Sequence, residues 1–491
     1  MKLWSMIAIA VYILILFVIG YYSYRKTSNI SDYMLGGRGL GPLVTALSAG
    51  ASDMSGWMLM GLPGAVYLTG ISSIWLGVGL TVGAYLNYRL LAPRFRVYTE
   101  LANDSLTVPD YLENRFKDKS NMLRLVSGII ILVFFVLYVS SGVVAGGKLF
   151  ENTFGLTYTM GVVVTLAVVV IYTYFGGFLA VSLTDFFQGT LMFITLIMVP
   201  VVTFMNIGVD PGTFANRIKD IDPALFDIFR GTSVATILSF LAWGLGYFGQ
   251  PHIIVRFMAI KSPNELKSAR RIGIGWMAIG LLGSVASGLT GLVYFTEHKS
   301  PLSDPETVFL RLGDILFHPF ITGIILAAVL AAIMSTISSQ LLVCSSSITK
   351  DFYLTFFNKE ASQKEQMLIG RLSVLVVAAF ATIFAYLPNK TILDIVGQAW
   401  AGFGSAFGPV LLLSLYWKRM TKWGALFGMI VGGLTVILWI SFGLSGYIYE
   451  MIPGFSLSLI SVIVGSLMTK KPDESINKDF ISMEEILTNM N

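Results

Sequence analysis

Asp53 lies inside an apolar stretch that reads "LSAGASDMSGWMLMGLPGAV" from Leu47 to Val66. A carboxylate at the centre of a membrane span costs about 2.5–3.5 kcal/mol on insertion scales, so it faces a partner or a pathway. The same stretch holds serines at 48, 52 and 55, glycines at 50, 56, 61 and 64, and Pro63, all of which weaken a helix. A break at that depth frees backbone carbonyls, which suit a hard cation. It also exposes a half-helix N-terminus, which suits an anionic group. One break can therefore hold a small cation and a zwitterion together. Two other readings stay open. Small residues also let helices pack closely, and Asp53 can serve as an interhelical hydrogen-bond anchor.

Two further stretches bear on the same chemistry. "WGLGYFGQP", Trp243 to Pro251, interrupts another apolar run with three glycines and a proline. Trp243 and Tyr247 are one helical turn apart there, and with Tyr138 they can wall a small pocket that has an apolar face and a polar tip. "AAVLAAIMSTISSQLLVCSSSITKD", Ala327 to Asp351, places Ser335 and Thr336 side by side in an alanine-rich face. Neutral hydroxyl and carbonyl oxygens can replace the hydration shell of Na⁺, and they offer no titrating proton. That favours sodium over proton coupling. Many membrane hydroxyls simply bond the carbonyl one turn back. "TYFGGFLAVSLTDFFQG", Thr173 to Gly189, reads as a tight corner. Gly176 and Gly177 turn the chain, Thr184 caps the next helix, and Asp185 complements its N-terminus. A part for Asp185 in ion coupling stands beside that structural reading.

These residues need a scaffold that crosses lipid. The chain has 491 residues, 55% hydrophobic and 12% charged, with a mean hydropathy of +0.75. Soluble domains carry about 25% charged residues, so the bilayer must act as solvent. Apolar runs of roughly 20 residues number about 13, which predicts an all-α polytopic membrane protein. The period-two alternation of a membrane barrel is absent. The stretch Ser5 to Ile19 reads as an uncleaved first span, because Arg25 and Lys26 follow it rather than precede it. Basic residues gather in alternate loops, which puts the N-terminus outside and the C-terminus in the cytoplasm. Residues 1–470 form one transmembrane domain. Residues 471–491 form a short cytoplasmic tail, expected to be solvated, although "SMEEILTNM" can also be read as a short amphipathic helix.

The interrupted spans are the second and the seventh, five spans apart, so they cross in opposite directions. Paired interrupted spans of opposite topology mark an inverted-repeat transporter. Repeat one would cover about 40–206 and repeat two about 231–416. Soluble catalytic motifs are missing: there is no Walker loop, no GxGxxG opening a helix and no HExxH. The lone Cys344 excludes an intrachain disulfide, and His252, His298 and His318 show no ligand spacing. The reading is a secondary transporter, neither an enzyme nor a nucleic-acid binder.

"SDYMLGGRGLGP" (31–42), "ASDMSGWMLMGLPGAV" (51–66), "TYFGGFLAVSLTDFFQG" (173–189), "WGLGYFGQPHIIVRFMA" (243–259) and "AAIMSTISSQLLVCSSSITKD" (331–351) together resemble the sodium/solute symporter family. The second and fourth resemble its bacterial sodium/proline branch. The resemblance implies a fold of 13 helices with the five-plus-five inverted repeat of the leucine-transporter type. It implies a Na⁺ site from the carbonyls of Ala51, Met54 and Ala332 and the hydroxyls of Ser335 and Thr336, with Asp53 needed for coupling. Ser55, Trp57, Gly61, Tyr138, Trp243, Tyr247 and Pro251 match residues near the substrate. Arg38 matches a cytoplasmic-side basic residue linked to coupling. The expected activity is sodium-coupled L-proline uptake by alternating access in a bacterial inner membrane. Na⁺ is the coupling ion, no other cofactor is expected, and lipid is the only surrounding partner. The alternatives are a Na⁺-coupled symporter of another amino acid or a monocarboxylate, or a sensor or channel on the same scaffold.

Overall fold

The computed structural model describes residues 2–230, 232–386 and 391–490. The described chain is built from helices, and its β pairing is one parallel bridge between Leu40 and Ile260. Evenly apolar runs make single rods, whereas Gly and Pro set the stops and bends. α1 (Lys2–Lys26) ends on its own basic pair, Arg25 and Lys26, which complement the carbonyl end of the helix dipole. A short α2 (Ile30–Leu35), capped by Asn29, leads to α3 (Pro42–Asp53). α3 stops in mid-bundle. Its direction is resumed through a π turn, Trp57–Gly61, by α4 (Leu62–Thr69). α5 (Ile74–Leu86) passes through another π turn, Asn87–Leu91, into α6 (Ala92–Leu101). α7 (Val108–Phe116) is capped by Thr107, and α8 (Met122–Phe154) follows.

α9 (Tyr158–Ile207) bends at Gly177, whose φ of 60° and ψ of −162° only glycine adopts without strain. The corner predicted around Gly176 and Gly177 is thus a kink within one helix. Thr184 does not cap a new helix: its hydroxyl donates to the carbonyls of Ala180 and Val181 at 2.9 and 3.0 Å. The helix restarts at the glycine, so Thr184 and Asp185 lie in a helix interior.

The second half comprises α10 (Pro211–Ile221), α11 (Val234–Ala242), a 3₁₀ stretch over Trp243–Gly249, α12 (Pro251–Ala259) and α13 (Leu266–Glu297). α14 (Val308–Leu316), α15 (Pro319–Ser346), α16 (Gln363–Ala385), α17 (Ile392–Tyr416), α18 (Lys422–Ser441), α19 (Met451–Met468) and α20 (Glu474–Asn489) complete it. Among the described residues, ten helices are long and apolar enough to cross a membrane, and Tyr158–Tyr174 and Val234–Gly249 are shorter apolar helices. α15 is buried nearly from end to end, as expected of a helix that is apolar all round. It packs on α9, α1, α8 and α3 and is the axis of the bundle.

The tail is not a solvated strand of chain. α20 docks on α6, with Phe480 and Met483 fully buried. Phe480 meets Tyr98 edge-on and lies under Arg115 and Lys418. Lys117 pairs with Asp479 at 3.1 Å and Lys418 with Glu484 at 3.0 Å. The tail docks rather than staying solvated because Ile476, Phe480, Met483 and Leu487 share one face of α20.

Candidate ion and substrate site

The stop in α3 rewires its last carbonyls. In an unbroken helix the Ser55 N–H would pair with the Ala51 carbonyl. Here it donates to the Asp53 carbonyl at 2.9 Å, and the Met58 N–H, the partner due to Met54, donates to Ser55 at 3.0 Å. The Ala51 carbonyl turns instead to α15. It accepts from the Ser335 hydroxyl at 2.7 Å and from the Thr336 hydroxyl at 3.5 Å. Ser335 also reaches the Ala332 carbonyl at 3.2 Å. Two backbone carbonyls and two hydroxyls therefore converge between α3 and α15, and all four residues are buried. The oxygens are neutral and supplied by two different helices. Such a set suits a dehydrated alkali cation. The Met54 carbonyl loses its helical partner at the same break.

Asp53 ends α3 and is 2% exposed, so its charge has no access to bulk water. One carboxylate oxygen accepts from the Tyr247 hydroxyl, and the other has no partner among the described residues. The Asp53 carbonyl accepts from the Trp57 indole N–H at 3.1 Å and the Tyr138 hydroxyl at 3.4 Å. Asp53, Trp57, Tyr138 and Tyr247 thus form one buried cluster that joins α3, its π turn, α8 and the broken seventh span. A small cavity of about 20 Å³ opens beside it, lined by Asp53, Met54, Asn87, Tyr88, Tyr247 and Met277 among others.

The glycines of "WGLGYFG" serve packing as well as the break. A Cβ on Gly246 would sit 2.0 Å from the Trp400 indole nitrogen, and one on Gly249 would sit 2.3 Å from the Phe403 carbonyl oxygen. α17 is therefore pressed against the interrupted segment. The Trp400 indole donates to the Trp243 carbonyl at 2.7 Å, and the Gln250 amide donates to the Trp400 carbonyl at 3.1 Å. Helix resumes at Pro251, in the first position, where its missing N–H costs nothing. Trp243 stacks on Tyr449 with ring centroids 5.3 Å apart and borders an open vestibule that Asp394 and Tyr447 also line.

The remaining candidates divide. Ser55 sits in the break and accepts weakly from the Trp57 N–H at 3.4 Å. Gly61 lies at the far end of the π turn, against Leu393 of α17. Arg38 is away from the cluster, tied to Asp104 at 2.8 Å and to the Met258 carbonyl at 2.8 Å. Burial lowers its pKa from the ordinary value, and the Asp104 carboxylate opposes that.

Asp185 belongs to a second buried network that the sequence did not disclose. Its carboxylate pairs with Arg256 at 3.0 Å and accepts from Ser48 at 2.8 Å and Ser339 at 3.4 Å. Arg256 in turn donates to Ser339 at 2.6 Å and to Ser48 at 3.1 Å. Four helices, α3, α9, α12 and α15, meet at this ion pair, and neither charge is exposed. Arg256 is a lone basic residue in the sequence, with nothing beside it that points to Asp185. Trp400 and Tyr449, which hold Trp243 in place, had no sequence signal either.

Known proteins resemble this chain over nearly its full length. The Sodium:solute symporter family profile matches residues 33–432. The osmoregulated proline transporter OpuE of Bacillus subtilis (strain 168) is 57% identical over 489 residues, which is 99% of each chain. A sodium/proline symporter of Staphylococcus aureus (strain JH9) is 55% identical over 496 residues, covering 98% of this chain and 96% of that one. The substrate-bound, outward-open structure of a Na⁺-coupled sialic acid symporter superposes with a TM-score of 0.81 at 19% identity. It covers 96% of this chain and 99% of that one. That likeness shows the fold, the five-plus-five inverted repeat of the leucine-transporter type.

Proposed function

Because this chain belongs to the sodium:solute symporter family, we propose that it takes up L-proline together with Na⁺ by alternating access across a bacterial inner membrane. The proline transporters among its relatives support the substrate. The single observation behind the ion is the Ala51 carbonyl, released by the break in α3 and met by Ser335 and Thr336 of α15. Na⁺ takes its place among the oxygens of Ala51, Met54, Ala332, Ser335 and Thr336. The hydroxyls that now donate to carbonyls turn their lone pairs to the ion. Binding draws α3 and α15 together and fixes the break. Asp53, held by Tyr247, supplies negative potential close by without ligating the ion.

Proline is held beside it by Ser55, Trp57, Tyr138, Trp243 and Tyr247, with Gly61 and Pro251 shaping the turns. Its carboxylate faces a half-helix N-terminus and its ring faces the aromatics. Ordering of the break by Na⁺ raises the fraction of protein competent for proline, so the two ligands bind cooperatively. Repeat one, about 40–206, then rocks against repeat two, about 231–416. Asp185 and Arg38 act in coupling from the side of the basic loops.

We read thirteen crossings, obtained by dividing the run Trp57–Leu101 at Gly70 and counting the two shorter apolar helices. The N-terminus is outside, and α20 is cytoplasmic. One Na⁺ moving down 100 mV supplies about 2.3 kcal/mol. A tenfold Na⁺ gradient adds about 1.4 kcal/mol. One ion then supports accumulation of several hundredfold.

Radiolabelled proline uptake into proteoliposomes, with and without an inward Na⁺ gradient, tests the proposal. Uptake above equilibrium that collapses with the gradient supports it. Competition by another amino acid or a monocarboxylate in preference to unlabelled proline would reassign the substrate.

A further inference from the structure

A groove of about 550 Å³ lies where α6, the start of α13, the end of α17 and the end of α20 meet. Four basic residues line it, Arg89, Arg94, Lys267 and Arg270, and no carboxylate does. Arg94 is fixed by the Leu415 carbonyl at 3.0 Å and lies over the Tyr416 ring, with Glu484 of α20 at 3.8 Å. Arg270 lies over the Tyr85 ring. Arg89 and Lys267 are exposed, and among the described residues neither has a hydrogen-bond or ion-pair partner. Pro263 and Asn264, in the 3₁₀ turn that leads into α13, and Leu266, its first residue, also line the groove, and the start of this 32-residue helix adds its positive end. The four charged side chains that line the groove are all positive, and among the described residues only Arg94 has an acidic neighbour, Glu484, so the groove calls for an anion.

A second observation says which kind of anion. Val78, Val82, Leu86 and Leu90 recur every four residues along α5 and its π turn and are 36–52% exposed. They form an apolar lane on the lipid-facing side, and Leu90 itself lines the groove. A ligand with a charged head and a hydrocarbon tail fits the groove and the lane together. A free phosphate would use only the groove.

We propose that this groove binds the phosphate headgroup of an anionic phospholipid whose acyl chain lies along the Val78–Leu90 lane. The lipid bridges α6, α13, α17 and α20, and so helps to hold the C-terminal helix against the bundle.

Native mass spectrometry of the purified full-length protein, titrated with phosphatidylglycerol or phosphatidylcholine, tests this. Wild type should retain phosphatidylglycerol selectively. Arg89→Gln with Lys267→Gln removes two unpaired cations. It should weaken that binding about thirtyfold, at about 1 kcal/mol for each cation, and leave phosphatidylcholine unaffected. Lys261→Gln with Arg271→Gln, on the same face outside the groove, should keep wild-type retention. Equal retention of the two lipids would overturn the proposal. So would equal losses in both double variants, because attraction would then be general to the basic face. Thermal stabilisation by inorganic phosphate equal to that by phosphatidylglycerol would overturn the lipid assignment.

Discussion

The Tyr247 hydroxyl donates to the Asp53 carboxylate, so the two interrupted spans are joined to each other at their breaks. Asp53 was expected in ion coupling and Tyr247 beside the substrate. The bond makes them one unit: a change in the substrate pocket reaches the helix end that bears the Ala51 carbonyl. Removing the hydroxyl should therefore act on the ion as well as on proline. Tyr247→Phe leaves the aromatic wall in place and takes from Asp53 its one side-chain partner. We expect the half-saturating Na⁺ concentration to rise about tenfold, the worth of a hydrogen bond to a charged group. Asp53→Asn should raise it further. Na⁺-activation curves of proline uptake check both. Near-normal Na⁺ dependence in Asp53→Asn would remove the role given to it.

Trp243 lines the vestibule, stacked on Tyr449 and bonded through its carbonyl to Trp400. It touches none of the oxygens at the ion site. Trp243→Ala should weaken proline binding at least about tenfold by loss of buried aromatic area. Na⁺ binding measured without proline should stay within about twofold. A larger loss for Na⁺ than for proline would move Trp243 out of the pocket.

The Asp185–Arg256 pair is fully buried, and breaking one side strands the other charge. Asp185→Asn or Arg256→Gln alone should cost about 3–5 kcal/mol of stability. The double neutral variant should recover much of that loss, because no uncompensated charge remains. Thermal unfolding of the three purified proteins reads the comparison. Additive losses in the double variant would show that the two charges do not act as a pair.

Phe480 anchors α20 between Tyr98, Arg115 and Lys418. Phe480→Ala empties that seat at a cost of about 3 kcal/mol and should undock the helix. Limited proteolysis should then cut the tail of the variant while the tail of wild type resists. Equal cleavage would mean that the docked helix is not the solution state.

The sequence made legible what is local. Gly, Ser and Pro inside apolar runs marked both breaks, Asp53 stood out as a charge at membrane depth, and Ser335 beside Thr336 identified the helix that faces the first break. What it hid depends on residues far apart in the chain. Nothing near Arg256 hints at Asp185, 71 positions away, and a basic residue near a helix end looks like a loop residue. Trp400 lies on α17 and Tyr449 in the segment just before α19, and both were indistinguishable from packing aromatics. Thr184 was read as a cap because Thr-Asp after a glycine pair suits a helix start. In the structure the helix had already restarted at Gly177. The α20 helix was legible only in part, because "SMEEILTNM" holds Met483 and Leu487 but not Ile476 and Phe480, which complete the docked face.

The central claim is that Na⁺ is held between the end of α3 and the middle of α15. The most direct test is ²²Na⁺ binding to purified protein in the absence of proline, comparing wild type, Ser335→Ala with Thr336→Ala, and Trp243→Ala. The account predicts saturable binding in wild type, near-wild-type binding in Trp243→Ala, and a loss of at least about tenfold in the hydroxyl double variant. Unchanged ²²Na⁺ affinity in that double variant, with the protein folded, would contradict it.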